Sequence, residues 1–421
     1  MRFGGIAPLA AVAWGAMGCA AEEAADDDTT SEAAATGRER RDAPADPRAT
    51  DATRTVLANL HSFDLGGVDP FDQRILVGQQ EADTSNRRSN GLATVPSDFA
   101  TVAGRPPALV SYELSQLDKG AMTPFDAARF RANRSTLRQR ILDQHARGSL
   151  VSLVWHLRCP KTVANTADQF GPNDCPADYN LEELLARKPN GQPGRHFAEW
   201  RAMLDELAEL LWSLKDERNE LVPVQIRPFH EHTGGWFWWG RNNEPETYVQ
   251  AWREMVTYLR DGRGLHNALW VYCPAAPSDR STSGFERYYP GDAFVDVVSF
   301  DRYDLGNGNF ARGYAADLRT IGTFARDHGK VAAIAEVGRE MSHLPAEPTW
   351  FTRGMLAPIA ASGKKFAYVA LWRNAPWEKF VPEATDSGAP VDDFRAFTRD
   401  PRALLGGVHD LYRPLHVTPG T

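Results

Sequence analysis

The chain is poor in cysteine, with four in 421 residues. That excludes a fold held by a dense disulfide framework. Beyond a short Arg38–Arg41 patch it has no basic stretch of the kind that tracks nucleic acid, and its formal net charge is −8. An acidic surface suits neutral glycans better than polyanions. No Gly-x-Gly-x-x-Gly follows the first expected strand, which argues against a dinucleotide-binding sheet. The Gly-x-Ser-x-Gly elbow of a serine hydrolase is missing as well. His230 and His232 flank Glu231, but there is no His-x-x-x-His spacing and no third clustered ligand, so no metal site is expected. The N-terminal apolar stretch, Ile6–Trp14, is short for a membrane span, which takes about 20 residues.

What is present is ordinary for a soluble globular protein: 42% hydrophobic, 24% charged and 10% aromatic residues. The length allows one large domain or two modest ones, since α/β barrels exceed 200 residues as one unit. Arg2, the apolar stretch and Gly15-Ala16-Met17-Gly18-Cys19 read as an export signal over residues 1–19. The small residues before Cys19 resemble the lipobox of bacterial lipoproteins, with Ala16 where leucine is usual. That resemblance implies a lipid on Cys19 and a location on the cell envelope. Residues 20–52 are acidic and rich in Ala and Thr, with almost no large apolar side chains. Such a segment cannot bury enough surface to order itself, so a flexible tether is expected there.

From residue 53 to 421 the pattern reads as a single catalytic domain. Short apolar runs alternate with longer amphipathic ones. Expected strands are Arg74–Gly78, Ala108–Tyr112, Leu150–Trp155, Val224–His230, Ala268–Tyr272, Val295–Phe300, Val331–Ala335 and Ala367–Leu371. Phe125–Arg147 shows the helical spacing, with Phe130, Leu137, Ile141 and Leu142 among arginines. Apolar strands alternating with helices imply a parallel sheet, and eight of them favour closure into a (β/α)8 TIM barrel over an open doubly wound sheet. Export permits disulfides; Cys159 and Cys175 share one loop-like stretch and are the preferred pair among three possible, leaving Cys273 free.

Most of the chemistry sits where expected strands end. Strand two runs into Glu113, strand three into His156, and strand six into Asp301 and Tyr303. Strand seven runs into Glu336 and strand eight into Trp372 and Arg373. A barrel collects all these ends on one face. The densest segment is Ile226–Gly240, where Arg227, His230 and Glu231 precede Trp236, Trp238 and Trp239. Aromatic faces beside charged groups suit sugars, whose rings stack and whose hydroxyls hydrogen-bond.

The Arg-Pro-Phe-His-Glu run followed by Gly-Gly-Trp-Phe-Trp-Trp-Gly resembles the acid/base motif of glycoside hydrolase family 26, the β-mannanase family. The likeness runs from about Gly78 to Trp372. It implies a retaining, endo-acting hydrolase of β-1,4-mannosidic bonds in mannan, galactomannan or glucomannan, working without a cofactor and as a monomer. On this resemblance Glu231 is the acid/base and Glu336 the nucleophile. His156 and His230 bind or orient around the cleavage point, and Trp236 stacks the leaving-group sugar. Asp301 and Tyr303 match an Asp-x-Tyr element in which the tyrosine holds the nucleophile. Trp372 forms the platform under the sugar being cleaved. Arg227 should keep Glu336 charged, while a drier Glu231 beneath Trp236 should hold its proton. Cys159-Pro160 stands where the family often has Asn or Asp before proline, so that subsite is expected to differ.

The same catalytic pair would serve a β-1,3-xylanase or a mixed-linkage β-glucanase, with loop 159–195 and the strand-eight platform setting the choice. A surface lipoprotein that binds glycans without cutting them is a reading of another class. It would be marked by loss of one carboxylate, and both are present.

Overall fold

The computed structural model describes residues 43–63, 74–90, 92, 94–118, 126–159, 175, 179–240, 243–278, 283–407 and 409–415. All belong to one unit, Arg41–Thr421. The expected signal and lipidation site at Cys19 lie outside the described residues.

Eight strands close a parallel barrel: β1 Ile75–Gln80, β2 Leu109–Glu113, β3 Leu150–Val154, β4 Val224–Arg227, β5 Ala268–Tyr272, β6 Val297–Asp304, β7 Val331–Arg339 and β8 Tyr368–Leu371. Closure is through β1, which pairs in parallel with both β2 and β8. A two-residue strand, β9 (Ala403–Leu404), lies beside the start of β1. Around the barrel the described helices are α1 Asp51–Ser62, α2 Asp98–Ala103, α3 Ala127–Ala146, α4 Leu181–Leu185, α5 Arg195–Ser213, α6 Pro245–Thr257, α7 Ser283–Arg287, α8 Phe310–Asp327, α9 Ala357–Ala361 and α10 Ala389–Arg399.

The helices form because their apolar residues recur at three- and four-residue spacing. On α5 these are Phe197, Trp200, Leu204, Leu207, Ala208 and Leu211, all buried. On α3, Asp126 caps the first turn by accepting from the backbone N–H groups of Ala128 and Arg129, and Phe130, Leu137 and Ile141 face inward. Full burial of each such side chain contributes about 1.5–3 kcal/mol.

The strands are buried on both faces, so their alternation separates two apolar layers. Val110, Tyr112, Val151, Leu153, Ile226, Val298, Phe300, Ile334 and Val369 join the outer layer against the helices. Leu76, Leu109, Leu150, Val297, Val331, Ala333 and Ala370 fill the barrel interior, together with Val56, Leu57 and Leu60 of α1. Helix α1 therefore packs with the interior side chains at the N-terminal ends of the strands. The opposite mouth is left for polar groups.

Several expectations change. Strand four was expected to reach His230 but stops at Arg227, because Pro228 has no N–H to continue the ladder. Strands six and seven run on to Asp304 and Arg339 instead of stopping at Phe300 and Ala335. Helix α1 begins at Asp51, inside the expected tether, and residues 43–50 also pack on the barrel. The N–H of Ala45 donates to Asp296 at 2.6 Å, and Asp46 pairs with Nδ1 of His266 at 2.6 Å. Short polar residues met matching polar groups there, a pairing that composition does not reveal. Cys159 and Cys175 form a disulfide with Cα atoms 5.3 Å apart, and Cys273 is a free, buried thiol.

Candidate active site

The inward parity of each strand carries a polar side chain to the mouth. Counting by twos from Leu109 reaches Glu113, and from Leu150 it reaches His156. The same count from Gln225 reaches Arg227, from Val297 reaches Asp301 and Tyr303, and from Tyr368 reaches Trp372. Glu336 has the wrong parity. From Val331 and Ala333 the count would turn Ala335 inward and send Glu336 out against the helices. A β-bulge corrects this: Phe300 pairs with Ile334, but Asp301 pairs with Glu336, so Ala335 is the extra residue. The pairing with β8 slips at the same place. Bulges beside active sites re-aim a side chain in this way.

Arg227 is 1% exposed and stands between two carboxylates. Its Nη1 donates to Asp301 Oδ2 at 2.7 Å, and its Nη2 donates to Glu336 Oε1. The hydroxyl of Tyr303 donates to Glu336 Oε2 at 2.6 Å. The Cys273 thiol completes the group by donating to Asp301 Oδ1 at 3.1 Å. Both oxygens of Glu336 are thus held, which fixes its orientation. Arg302, the residue between Asp301 and Tyr303, points the other way and pairs with Asp317 of α8.

Glu231 lies beyond β4 in a strained turn. Phe229 and Glu231 have φ of 45° and 53°. Left-handed backbone at such residues costs on the order of 1–3 kcal/mol each and survives only when neighbours hold it. Here the Glu231 N–H donates to the carbonyl of Cys273 at 2.7 Å. Trp239 Nε1 donates to the His230 carbonyl at 2.7 Å, and the Tyr248 hydroxyl donates to the Phe229 carbonyl at 3.0 Å. Trp238 donates to the Leu157 carbonyl at 2.8 Å. Trp238 and Trp239 are therefore buried supports. Of the three tryptophans only Trp236, 44% exposed, opens onto the cleft.

Burial, then the charge of Glu336, pushes the Glu231 carboxyl up to about 7. Trp236 Nε1 donates to Glu231 Oε2 at 2.8 Å and favours the charged form, so Trp236 opposes the expected dryness; burial wins. The sign of the consequence is definite. A carboxyl raised in the folded state is neutral in both states below its ordinary range; the cost to folding builds as pH rises from that range, where only the unfolded carboxyl ionises, and is complete above about 7. Glu231→Gln is therefore expected to raise the melting temperature at pH 8 and to leave it nearly unchanged at pH 4. An unchanged value at pH 8 would contradict this assignment.

Glu113, at the end of β2, holds His156. It accepts from the His156 backbone N–H at 3.0 Å, from the Ser115 N–H at 2.8 Å, and from His156 Nδ1. Burial alone would raise the Glu113 carboxyl, but His156 and these N–H groups bring it down to about 2. Glu113 in turn outweighs the burial of His156 and raises that imidazole. His230, buried and beside His156, is pushed well down, and its Nε2 lies 3.2 Å from Nε2 of His156. Trp372 sits edge-on to His156 and Tyr303, with ring centroids 6.4 and 6.2 Å away. The nine residues to which the resemblance gives roles thus lie around one mouth. Sequence reading passed over Cys273, which resembles any buried thiol, and Phe237, whose ring centroid is 5.4 Å from that of His156.

Oxygens of Glu231, Asp301 and Glu336 all lie within 4.8 Å of one another. Three such carboxylates could hold a cation, but Arg227 already brings a positive charge to two of them. What remains is a pair: one carboxyl that keeps its proton near neutrality and one held in place by Arg227 and Tyr303. Such a pair at the C-terminal mouth of a parallel barrel is the arrangement that hydrolysis of a glycosidic bond requires.

Residues 45–338 match the sequence profile of Glycosyl hydrolase family 26. The chain belongs to that family. It is 27% identical over 375 residues to a mannan endo-1,4-beta-mannosidase of Bifidobacterium adolescentis, an alignment covering 86% of this chain and 35% of that one. It thus spans about a third of that relative's length. A solved GH26 beta-mannanase from Bacteroides ovatus is 29% identical with a TM-score of 0.69, covering 88% of this chain and all of that one (100%). A double mutant of the Cellulomonas fimi endo-beta-1,4-mannanase is 32% identical with a TM-score of 0.71, covering 88% and 79%.

Proposed function

We propose that this chain is a retaining endo-β-1,4-mannanase, with Glu231 as acid/base and Glu336 as nucleophile. The carrying observation is the approach of carboxylate oxygens of Glu231 and Glu336 to within 4.8 Å. Retaining glycosidases separate their carboxyl groups by about 5–5.5 Å, whereas inverting enzymes need about 6.5–9.5 Å to admit a water. Glu336 attacks the anomeric carbon while Glu231 protonates the departing oxygen, and a glycosyl ester forms on Glu336. Esterification removes the negative charge that helps hold the Glu231 proton. The Glu231 pKa then falls, so the carboxylate left by proton donation stays ionised and can take a proton from the water that hydrolyses the ester. His156, Trp236 and Trp372 supply the sugar contacts, and Asp301 acts through Arg227.

Mannan as substrate rests on the family and on the names of the relatives. The full-length chain is expected to release oligosaccharides from linear β-1,4-mannan and galactomannan, and not from β-1,3-xylan or mixed-linkage β-glucan. Release from xylan or glucan alone would keep the mechanism and overturn the substrate. Binding of mannan with no release from a folded protein would favour the non-catalytic reading. We also propose export and lipid anchoring at Cys19, with the protein acting as a monomer. Recovery of Cys19→Ala in the same membrane fraction as the parent would sink the anchor.

A further inference from the structure

We infer that Trp377 forms an outer sugar-binding platform that extends the cleft beyond Trp372. The inference rests on the mannanase reading and adds a recognition element to it. Trp377 is 63% exposed, the most open tryptophan among the described residues. It stands on the tip of a tight turn after β8, closed by reciprocal backbone bonds between Ala375 and Glu378 at 2.9 and 3.1 Å. The turn is tied to the mouth. Glu378 Oε1 accepts from Trp372 Nε1 and from Arg373 Nε, both at 3.0 Å. The Arg373 guanidinium lies 5.2 Å from the Trp372 ring centroid and 5.9 Å from that of Trp377, bridging the two rings.

The turn is also braced from below. Asn374 accepts from the N–H groups of Phe380 and Val381 at 2.8 and 3.1 Å and donates to Asp98 at 2.9 Å. Ser85 donates to the Asn374 carbonyl at 2.6 Å, and Arg87 donates to the Ala375 carbonyl at 3.0 Å. A large indole held open on a braced turn loses little entropy when a flat apolar face covers it. The occupant is chosen by continuity: the turn is joined by hydrogen bonds to the side chain that faces the cleft. A sugar several units from the cleavage point along the same chain presents such a face. Strand β8 lies across the barrel from β4, so this platform is on the far side from Trp236 and takes sugars that stay with the nucleophile.

The test compares the full-length parent with Trp377→Ala and Trp377→Phe on β-1,4-mannohexaose and on mannotriose. For Trp377→Ala, kcat/KM on the hexaose is expected to fall about tenfold through KM, with the triose within about twofold of the parent. Trp377→Phe is expected to recover most of the loss. Equal effects on both lengths, or no effect on either, would overturn the platform while leaving the mannanase reading intact. A parent that cleaves neither sugar defeats the mannanase reading and the platform together. Matching melting temperatures for parent and variants exclude a folding cause.

Discussion

Glu336→Ala is expected to lower kcat on mannan by on the order of 10⁴-fold or more while leaving the protein folded. The size follows from the role. Without the carboxylate no covalent intermediate forms, and Glu231 alone can only protonate a leaving group that nothing attacks. Azide supplies the discriminating readout. The shortened side chain leaves room on the nucleophile's face of the sugar, and azide can attack there. With an aryl β-mannoside whose leaving group needs no protonation, added azide is expected to restore turnover and to give the α-mannosyl azide. A β-configured product, or near-parental activity in the variant without azide, would remove Glu336 from the role.

Arg227→Met is expected to have the largest effect on stability, about 3–5 kcal/mol. Arg227 is buried, and its two partners, Asp301 and Glu336, are buried as well. Removing the guanidinium leaves two carboxylates side by side in a dry pocket with no counter-charge. The methionine fills much of the volume, so the loss reads electrostatics more than packing. Denaturant midpoints with unchanged slopes would measure it. Asp301→Asn, which removes one of the stranded charges, is expected to recover part of the loss in the Arg227→Met background and to destabilise the parent. A double-mutant cycle isolates that coupling. An Arg227→Met protein within about 0.5 kcal/mol of the parent would mean that the ion pairs contribute no more than an ordinary surface contact.

Much of the site was legible because rare residues stand at positions that a barrel brings together. Glu231 could be placed from its neighbours alone, since Arg227, His230 and the tryptophans form a run with few structural reasons to exist. The resemblance pointed to Trp236 as the sugar-facing tryptophan, but composition and spacing alone do not separate the three. Trp236, Trp238 and Trp239 look alike in sequence, and only the folded turn shows two of them donating hydrogen bonds inward to backbone carbonyls. The role of Glu113 was hidden for a related reason: it holds His156, 43 residues away, and nothing local signals that bond. The packed segment at residues 43–50 was hidden because its contacts are polar and distant, with Ala45 reaching Asp296.

The order of residues by itself determined the barrel and the inward aim of Glu113, His156, Arg227, Asp301, Tyr303 and Trp372. Alternation along a strand has a period of two, and each of them falls on the interior count. Glu336 does not. Its side chain reaches the mouth because β7 carries one extra residue between neighbours that do not, so Asp301 pairs with Glu336 while Phe300 pairs with Ile334. A bulge is a property of paired strands, decided by how β6, β7 and β8 fit together. Only the tertiary structure could bring the proposed nucleophile to the same face as the acid.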